Sequence, residues 1–82
     1  MTLDAATLAR TQRALHDYSK SERIQDRDAA SDALSELVVI AEIEGDVSLS
    51  RLQEAWEWLS LGFESAGEAA RIVDGVASDQ SR

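Results

Sequence analysis

The chain has 82 residues, 44% of them hydrophobic, and a formal net charge of −8. It contains no cysteine, which excludes disulfides, thiolate metal sites and cysteine nucleophiles, and its length predicts one small domain, residues 1–82. Because nucleic-acid affinity comes from lysine and arginine contacts to phosphates, the charge argues against direct binding of DNA or RNA.

The composition predicts an all-α fold. Proline is absent, only four glycines occur, and no useful stretch alternates polar with apolar residues as a strand would. The first helix is predicted over residues 3–18, with Thr2 as its N-terminal cap. One side of this helix carries a narrow apolar stripe: Ala5, Leu8, Leu15 and Tyr18.

A break is expected after the first helix. Ser19 and Glu22 have the spacing of a capping box, in which each residue satisfies a backbone amide at the start of a helix. We therefore predict a break or bend at residues 19–21 and a second helix over residues 22–44. The alternative is one helix that continues through this polar segment.

The second half of the second helix is apolar nearly all round. Residues 37–43 are also rich in β-branched side chains, so a short strand competes with the helix there. Acidic flanks and helical spacing on both sides favour the helix. A helix that is apolar nearly all round is typical of one with neighbours on more than one side. Gly45 is placed to adopt the left-handed conformation that ends a helix.

A tight link, residues 45–48, joins the second helix to a third and makes them antiparallel neighbours. Ser48 is predicted to cap the third helix, and Val47 to contact Leu52 as a hydrophobic staple. The third helix is predicted over residues 49–77, followed by a frayed polar tail at residues 78–82.

A heptad repeat runs through the whole of this third helix. Gly62 and Gly67 each weaken a helix, but the repeat passes through both without a slip, so we expect one unbroken helix. The alternative is a break near these glycines, with Ser65 and Glu68 starting a new helix. A flanking column of small or apolar residues, to which Gly62 belongs, predicts close packing against another helix: Ala55, Gly62, Ala69 and Val76. The repeat itself consists of Leu49, Leu52, Trp56, Leu59, Phe63, Ala66, Ala70, Val73 and Ala77.

These elements predict a small three-helix bundle, or a long antiparallel hairpin of residues 22–44 with 49–77 plus the N-terminal helix. A third helix of about 43 Å, at 1.5 Å per residue, is longer than either neighbour. Its apolar C-terminal half would overhang, which predicts a homodimer. The residues expected in that contact, or in contact with another partner, are Trp58, Leu61, Ile72 and Val76. The alternative for Trp58 is that it covers the first helix within the monomer.

No constellation of residues predicts catalysis, a cofactor site or a metal site. His16 is the only histidine, and no carboxylate lies three or four residues from it to orient its ring. The sequence contains no nucleophile motif and no glycine-rich phosphate loop. We therefore expect His16 on the surface and do not expect an enzyme.

Two acidic stripes are the candidate recognition features. Neighbouring carboxylates of the first stripe lie about 6 Å apart, similar to the phosphates of a nucleic acid, so this stripe would imitate a nucleic acid for a protein with a basic groove. The second stripe would dock on a basic protein surface. The alternative is a solvated surface that keeps a small protein soluble. The first stripe is Asp28, Asp32 and Glu36; the second is Glu54, Glu57, Glu64 and Glu68.

Size, acidity and the lack of catalytic motifs together favour a protein that acts by binding another protein, and the charge predicts that this partner is basic. Phage and mobile-element inhibitors of host machinery, including anti-CRISPR proteins, share these general properties. A structural homo-oligomerisation module and an antitoxin or immunity protein are the alternatives. No apolar run approaches the ~18 residues of a membrane span, so we expect a cytoplasmic protein without membrane contact.

Overall fold

The computed structural model describes residues 3–80, which form four α-helices. The all-α fold and the small helical bundle are confirmed, and the described residues contain no strand. The number of helices differs from the expected three, because the predicted third helix is divided. The helices are α1 (Ala5–Ser21), α2 (Ile24–Glu44), α3 (Leu49–Ser60) and α4 (Ala66–Gln80), with a 3-10 turn at Phe63–Ser65.

The four helices form a ring around one core. α1 packs against α2 and α4, and α3 packs against the same two helices. Short connections make consecutive helices antiparallel, so the α1–α2 and α3–α4 turns lie at one end of the bundle and the α2–α3 link at the other. The largest side chains shielded completely from solvent are Leu15, Leu34, Leu37, Leu52, Val73, Val76 and Thr11.

Asp4 caps the start of α1. Its Oδ2 accepts hydrogen bonds from the Thr7 amide, at 3.2 Å, and from the Thr7 hydroxyl, at 2.5 Å. These two bonds lower the pKa of Asp4, and the bond from the hydroxyl has the larger effect. The helix therefore begins two residues later than predicted, and the predicted cap, Thr2, lies outside the described residues.

The break after α1 is real but lies later than predicted. α1 continues to Ser21, and Glu22 takes the left-handed conformation, φ 59°, with its amide bonded to the Tyr18 carbonyl. The predicted capping box does not form, because the Ser19 hydroxyl donates to the His16 carbonyl instead. α2 consequently starts at Ile24 rather than at residue 22.

Replacing Glu22 by glycine should raise the free energy of unfolding by about 0.5–1 kcal/mol, because glycine adopts a positive φ without the steric cost that a Cβ atom brings. The change would be measured by urea denaturation. Glu22→Ala is the control, since it removes the charge at the helix C-terminus but keeps the Cβ atom. A gain as large for alanine as for glycine would show that charge, not conformation, is the cause.

α2 is helical throughout, so the strand alternative for residues 37–43 is wrong. Gly45, with φ 64°, ends the helix as predicted, and the amides of Gly45 and Asp46 donate back to the Glu42 and Ala41 carbonyls. This pair of bonds satisfies carbonyls that the helix end would otherwise leave without partners.

The α2–α3 link is held by Asp46 rather than by a hydrophobic staple. Val47 is 95% exposed, so its predicted packing against Leu52 is wrong. Ser48 stands at the start of α3 but makes no capping bond; its hydroxyl and amide donate instead to Asp46 Oδ1, at 2.6 and 2.9 Å. These two bonds hold the pKa of the buried Asp46 carboxyl below its usual 3.8, and the bond from the hydroxyl has the larger effect.

Asp46 should therefore stabilise the fold in a pH-dependent way. A lowered folded-state pKa means that the contribution is complete above the unfolded-state pKa and is lost as the pH falls through the folded-state value. We expect Asp46→Asn to lower the free energy of unfolding by about 1 kcal/mol at neutral pH. In urea denaturation between about pH 6 and pH 2, the difference from the wild type should shrink below about pH 4. A difference independent of pH would contradict this assignment.

The prediction of one unbroken helix over residues 49–77 is wrong. α3 ends at Ser60, and Gly62 has φ 123° and ψ 179°, a conformation that other residues hardly adopt. The division lets α4 turn back to pack against α1 as well as α3, which closes the ring. Gly62 makes no close helix contact: no atom beyond its chain neighbours lies within 4 Å of the position a Cβ atom would take.

The same division removes the overhang on which the homodimer prediction rested. Val76 is fully buried inside the monomer, and Ile72 packs against the same core, so the structure takes Val76 out of the predicted contact set. α4 also continues to Gln80, so the predicted tail is wrong for residues 78–80, while residues 81–82 lie outside the described part.

Candidate binding groove

A groove of about 400 Å³ runs along the surface between α2 and α3. These two helices share the least extensive packing of the four neighbouring pairs, which leaves the space between them open. Residues one helical turn apart bring their side chains to the same wall on each helix. The groove is lined by Ser35, Val38 and Val39 from α2 and by Gln53, Trp56 and Glu57 from α3.

The apolar half of the lining, called the floor of the groove, consists of Val38, Val39 and Trp56. Val38 is partly buried against the core, while Val39 is 50% exposed and Trp56 is 40% exposed. A large aromatic side chain left this accessible beside two valines gives the groove an apolar surface. Such surfaces are typical of sites that bind other proteins.

The polar side chains around this floor are uncommitted. Those of Ser35, Gln53 and Glu57 make no hydrogen bond or ion pair with any other residue between 3 and 80. Elsewhere on the surface, carboxylates do find partners: Glu36 pairs with Arg10, and Asp79 with Arg51. Glu57 thus contributes an unneutralised carboxylate to the lining of the groove.

The first acidic stripe is exposed, but only part of it is available. Asp28, Asp32 and Glu36 all lie on the surface of α2. Glu36 is paired with Arg10, and Asp28 lies 3.7 Å from Arg27. Asp32 alone of the three has no ionic partner among the described residues.

The second stripe does not form a continuous row, because the chain turns at Gly62. Glu54 and Glu57 are exposed on α3, whereas Glu64 lies in the 3-10 turn and Glu68 on α4. Glu68 also pairs with Arg71, at 3.3 Å. Of the seven acidic candidates, the groove contains Glu57.

The predicted apolar contact residues also separate. Trp58 and Ile72 are partly buried against the core, and Val76 is buried within it. Leu61 is 71% exposed at the α3–α4 turn. The sequence did not identify Trp56, Val38 and Val39 as groove residues, because the heptad repeat, called the helix seam, placed Trp56 on the buried face of the third helix.

A second feature that the sequence did not reveal is a polar cluster between α1 and α4. His16 is exposed as expected, but its Nε2 lies 2.9 Å from Asp74 Oδ2, and Gln12 Nε2 donates to Asp74 Oδ1 at 3.0 Å. No carboxylate within α1 orients the His16 ring, but Asp74 of α4 does. No local spacing could have found Asp74, since it lies 58 residues away along the chain.

Between residues 3 and 80, no three His, Asp or Glu side chains are grouped closely enough to hold a metal ion. Within the same range, no helix has both the length and the apolar character needed to cross a membrane. No family model matches the chain, and no curated protein or solved structure is significantly similar to it.

Proposed function

We propose that this chain acts by binding another protein, rather than by catalysis, and that the α2–α3 groove receives an amphipathic basic segment of that protein. The observation that carries the proposal is the exposed Trp56 beside the unpaired Glu57. Apolar groups of the partner would cover the floor, and its cations would lie against the carboxylate.

This arrangement has the composition of a protein interface. Tryptophan is enriched among the residues that dominate binding energy, and an apolar centre with a polar rim is the usual anatomy of an interface. A helix whose apolar side enters a groove between two helices is a common mode of recognition. The net charge of −8 would attract a basic partner from a distance and speed association.

The proposal suits an inhibitor of phage or mobile-element origin, such as an anti-CRISPR protein, and equally an antitoxin or immunity protein in the cytoplasm, because each binds a basic protein. Imitation of a nucleic acid is supported less well. The second stripe is divided at Gly62, and Glu36, Asp28 and Glu68 already have ionic partners. The groove, rather than the stripes, is therefore the proposed contact.

Homo-oligomerisation is the second candidate, favoured by apolar side chains at one end of the bundle. Leu61 and Phe63 at the α3–α4 turn and Ile24 at the start of α2 are exposed there. Sedimentation equilibrium at high micromolar concentration would then give twice the chain mass of 8.9 kDa, and Leu61→Asp would restore the monomer. A monomeric wild type would rule out this candidate.

The groove proposal is tested with a model helix of about 18 residues, with leucine on one side and lysine on the other. We expect NMR shift changes in 15N-labelled protein to concentrate at the six groove residues. Trp56→Ala should weaken binding at least about tenfold, and added salt should weaken it further. The control is Ile24→Ala, an exposed apolar residue at the start of α2, outside the groove and about four helical turns from Val39. Shift changes spread evenly over the acidic surface would contradict the proposal.

A further inference from the structure

We infer that the groove is specific for one arginine side chain of its partner, which inserts between α2 and α3 with its guanidinium against Glu57. This inference rests on the proposed function and identifies the chemistry of the anchoring residue. Its basis is the combination, in one groove, of an aromatic ring, two aliphatic side chains and three uncommitted polar groups.

The apolar floor fits the stem of a long cationic side chain. Arginine and lysine both bury their methylene groups along apolar surface while the charged end stays at a polar edge. Val38 and Val39 on α2 offer that surface, and the Trp56 ring faces the same space from α3. A planar guanidinium also stacks on an indole face, which combines cation–π attraction with close contact.

The polar groups favour a guanidinium over an ammonium. Ser35 lines the groove from α2, and Gln53 and Glu57, one helical turn apart, line it from α3. All three can accept hydrogen bonds, and none is used by another described residue. A guanidinium carries five N–H donors in one plane and can donate to several acceptors at once, whereas an ammonium is a compact point charge with three donors.

The electrostatics favour a cationic side chain and disfavour an anionic one. None of the basic residues that the structure describes lines the groove, and four arginines are already paired elsewhere: Arg10, Arg27, Arg51 and Arg71. Glu57 therefore has no internal cation to compete with an incoming one. A partner that placed a carboxylate here would meet repulsion from Glu57 and from the net charge of −8.

The test varies one residue at the centre of the leucine–lysine model helix. Four peptides carry arginine, lysine, citrulline or norleucine at that position; citrulline keeps the shape of arginine but has no charge. Affinity is measured by titration, and the Trp56 indole N–H signal in 15N NMR reports occupancy of the groove. Trp58, partly buried against the core, provides an internal reference signal, and Trp56→Phe assigns the two.

The arginine peptide should bind about tenfold more tightly than the citrulline and norleucine peptides and about threefold more tightly than the lysine peptide. Glu57→Gln should remove the preference for arginine over citrulline. Glu54→Gln, which removes an exposed carboxylate of α3 outside the groove, should preserve it.

Equal affinities of all four peptides, with the Trp56 signal still shifting, would overturn the arginine inference and leave the proposed function standing. A preference for arginine that survives in Glu57→Gln would also overturn it. If no peptide shifts the Trp56 signal, both the inference and the proposed function are wrong.

Discussion

Replacing Gly62 by alanine should lower the free energy of unfolding by about 1–3 kcal/mol, although alanine is the better helix former. The cause is the backbone conformation. With φ 123° and ψ 179°, Gly62 occupies a region that is open almost only to glycine. The empty space around a Cβ atom at this position does not help, because the strain lies within the residue itself. Urea denaturation followed by circular dichroism measures the loss.

Gly67→Ala is the matched control and should have the opposite sign. Gly67 lies on the surface in the first turn of α4, and an added Cβ atom would meet nothing within 4 Å. Alanine there should stabilise the protein by about 0.4–1 kcal/mol, because it restricts the unfolded chain. Gly62→Leu should cost about as much as Gly62→Ala. A loss that grew with side-chain size would point to close packing at Gly62, and a gain for both alanines would point to an unbroken helix.

Replacing Leu37 by alanine should lower the free energy of unfolding by about 2–5 kcal/mol. Leu37 is completely buried where α2 faces the core, so the substitution removes apolar contacts and leaves a cavity. In a protein of this size, such a loss is a large part of the total stability. The expected result is a lower denaturation midpoint with an unchanged dependence on urea concentration.

Val39→Ala provides the comparison within the same apolar segment. Val39 is half exposed in the groove, two residues from Leu37, and should contribute no more than about 0.5 kcal/mol to stability. It should instead weaken binding of the model helix. Similar losses of stability for the two variants would mean that the groove side of α2 is packed within the monomer, which would contradict the proposed function.

The sequence indicated which faces are apolar but not how many helices carry them. α3 and α4 each bury residues of the same repeat, Leu52 and Leu59 in one and Ala70 and Val73 in the other. A repeat that continues across a turn is compatible with one long helix or with two shorter ones. The backbone of Gly62 decides between them, and its conformation follows from the gain in burial when α4 packs against α1.

The groove was not predicted, because the heptad repeat predicts that its own residues form the most buried side of the third helix, and the flanking column proved to be more buried. The small flanking column is buried more completely: Ala55, Ala69 and Val76 are fully shielded, whereas Trp56 and Phe63 of the seam are exposed. Small residues let neighbouring helices approach, and the bulky aromatic residues are displaced to the edge. The expectation of close packing along this column was correct for these three residues, but its consequence for Trp56 depends on which helices are neighbours.

The two ends of the described chain are in contact, so the same helices could be connected in a different order. The Leu3 amide donates to Gln80 Oε1 at 3.1 Å, so the start of α1 and the end of α4 are adjacent in the ring. Each helix already has the helix that follows or precedes it as a neighbour, and α1 and α4 are neighbours too. The order of the helices around the core is therefore cyclic. A short linker could join these two ends, and the chain could be opened at Gly62 instead. The resulting circular permutant would retain the same helix neighbours and would no longer contain the strained turn.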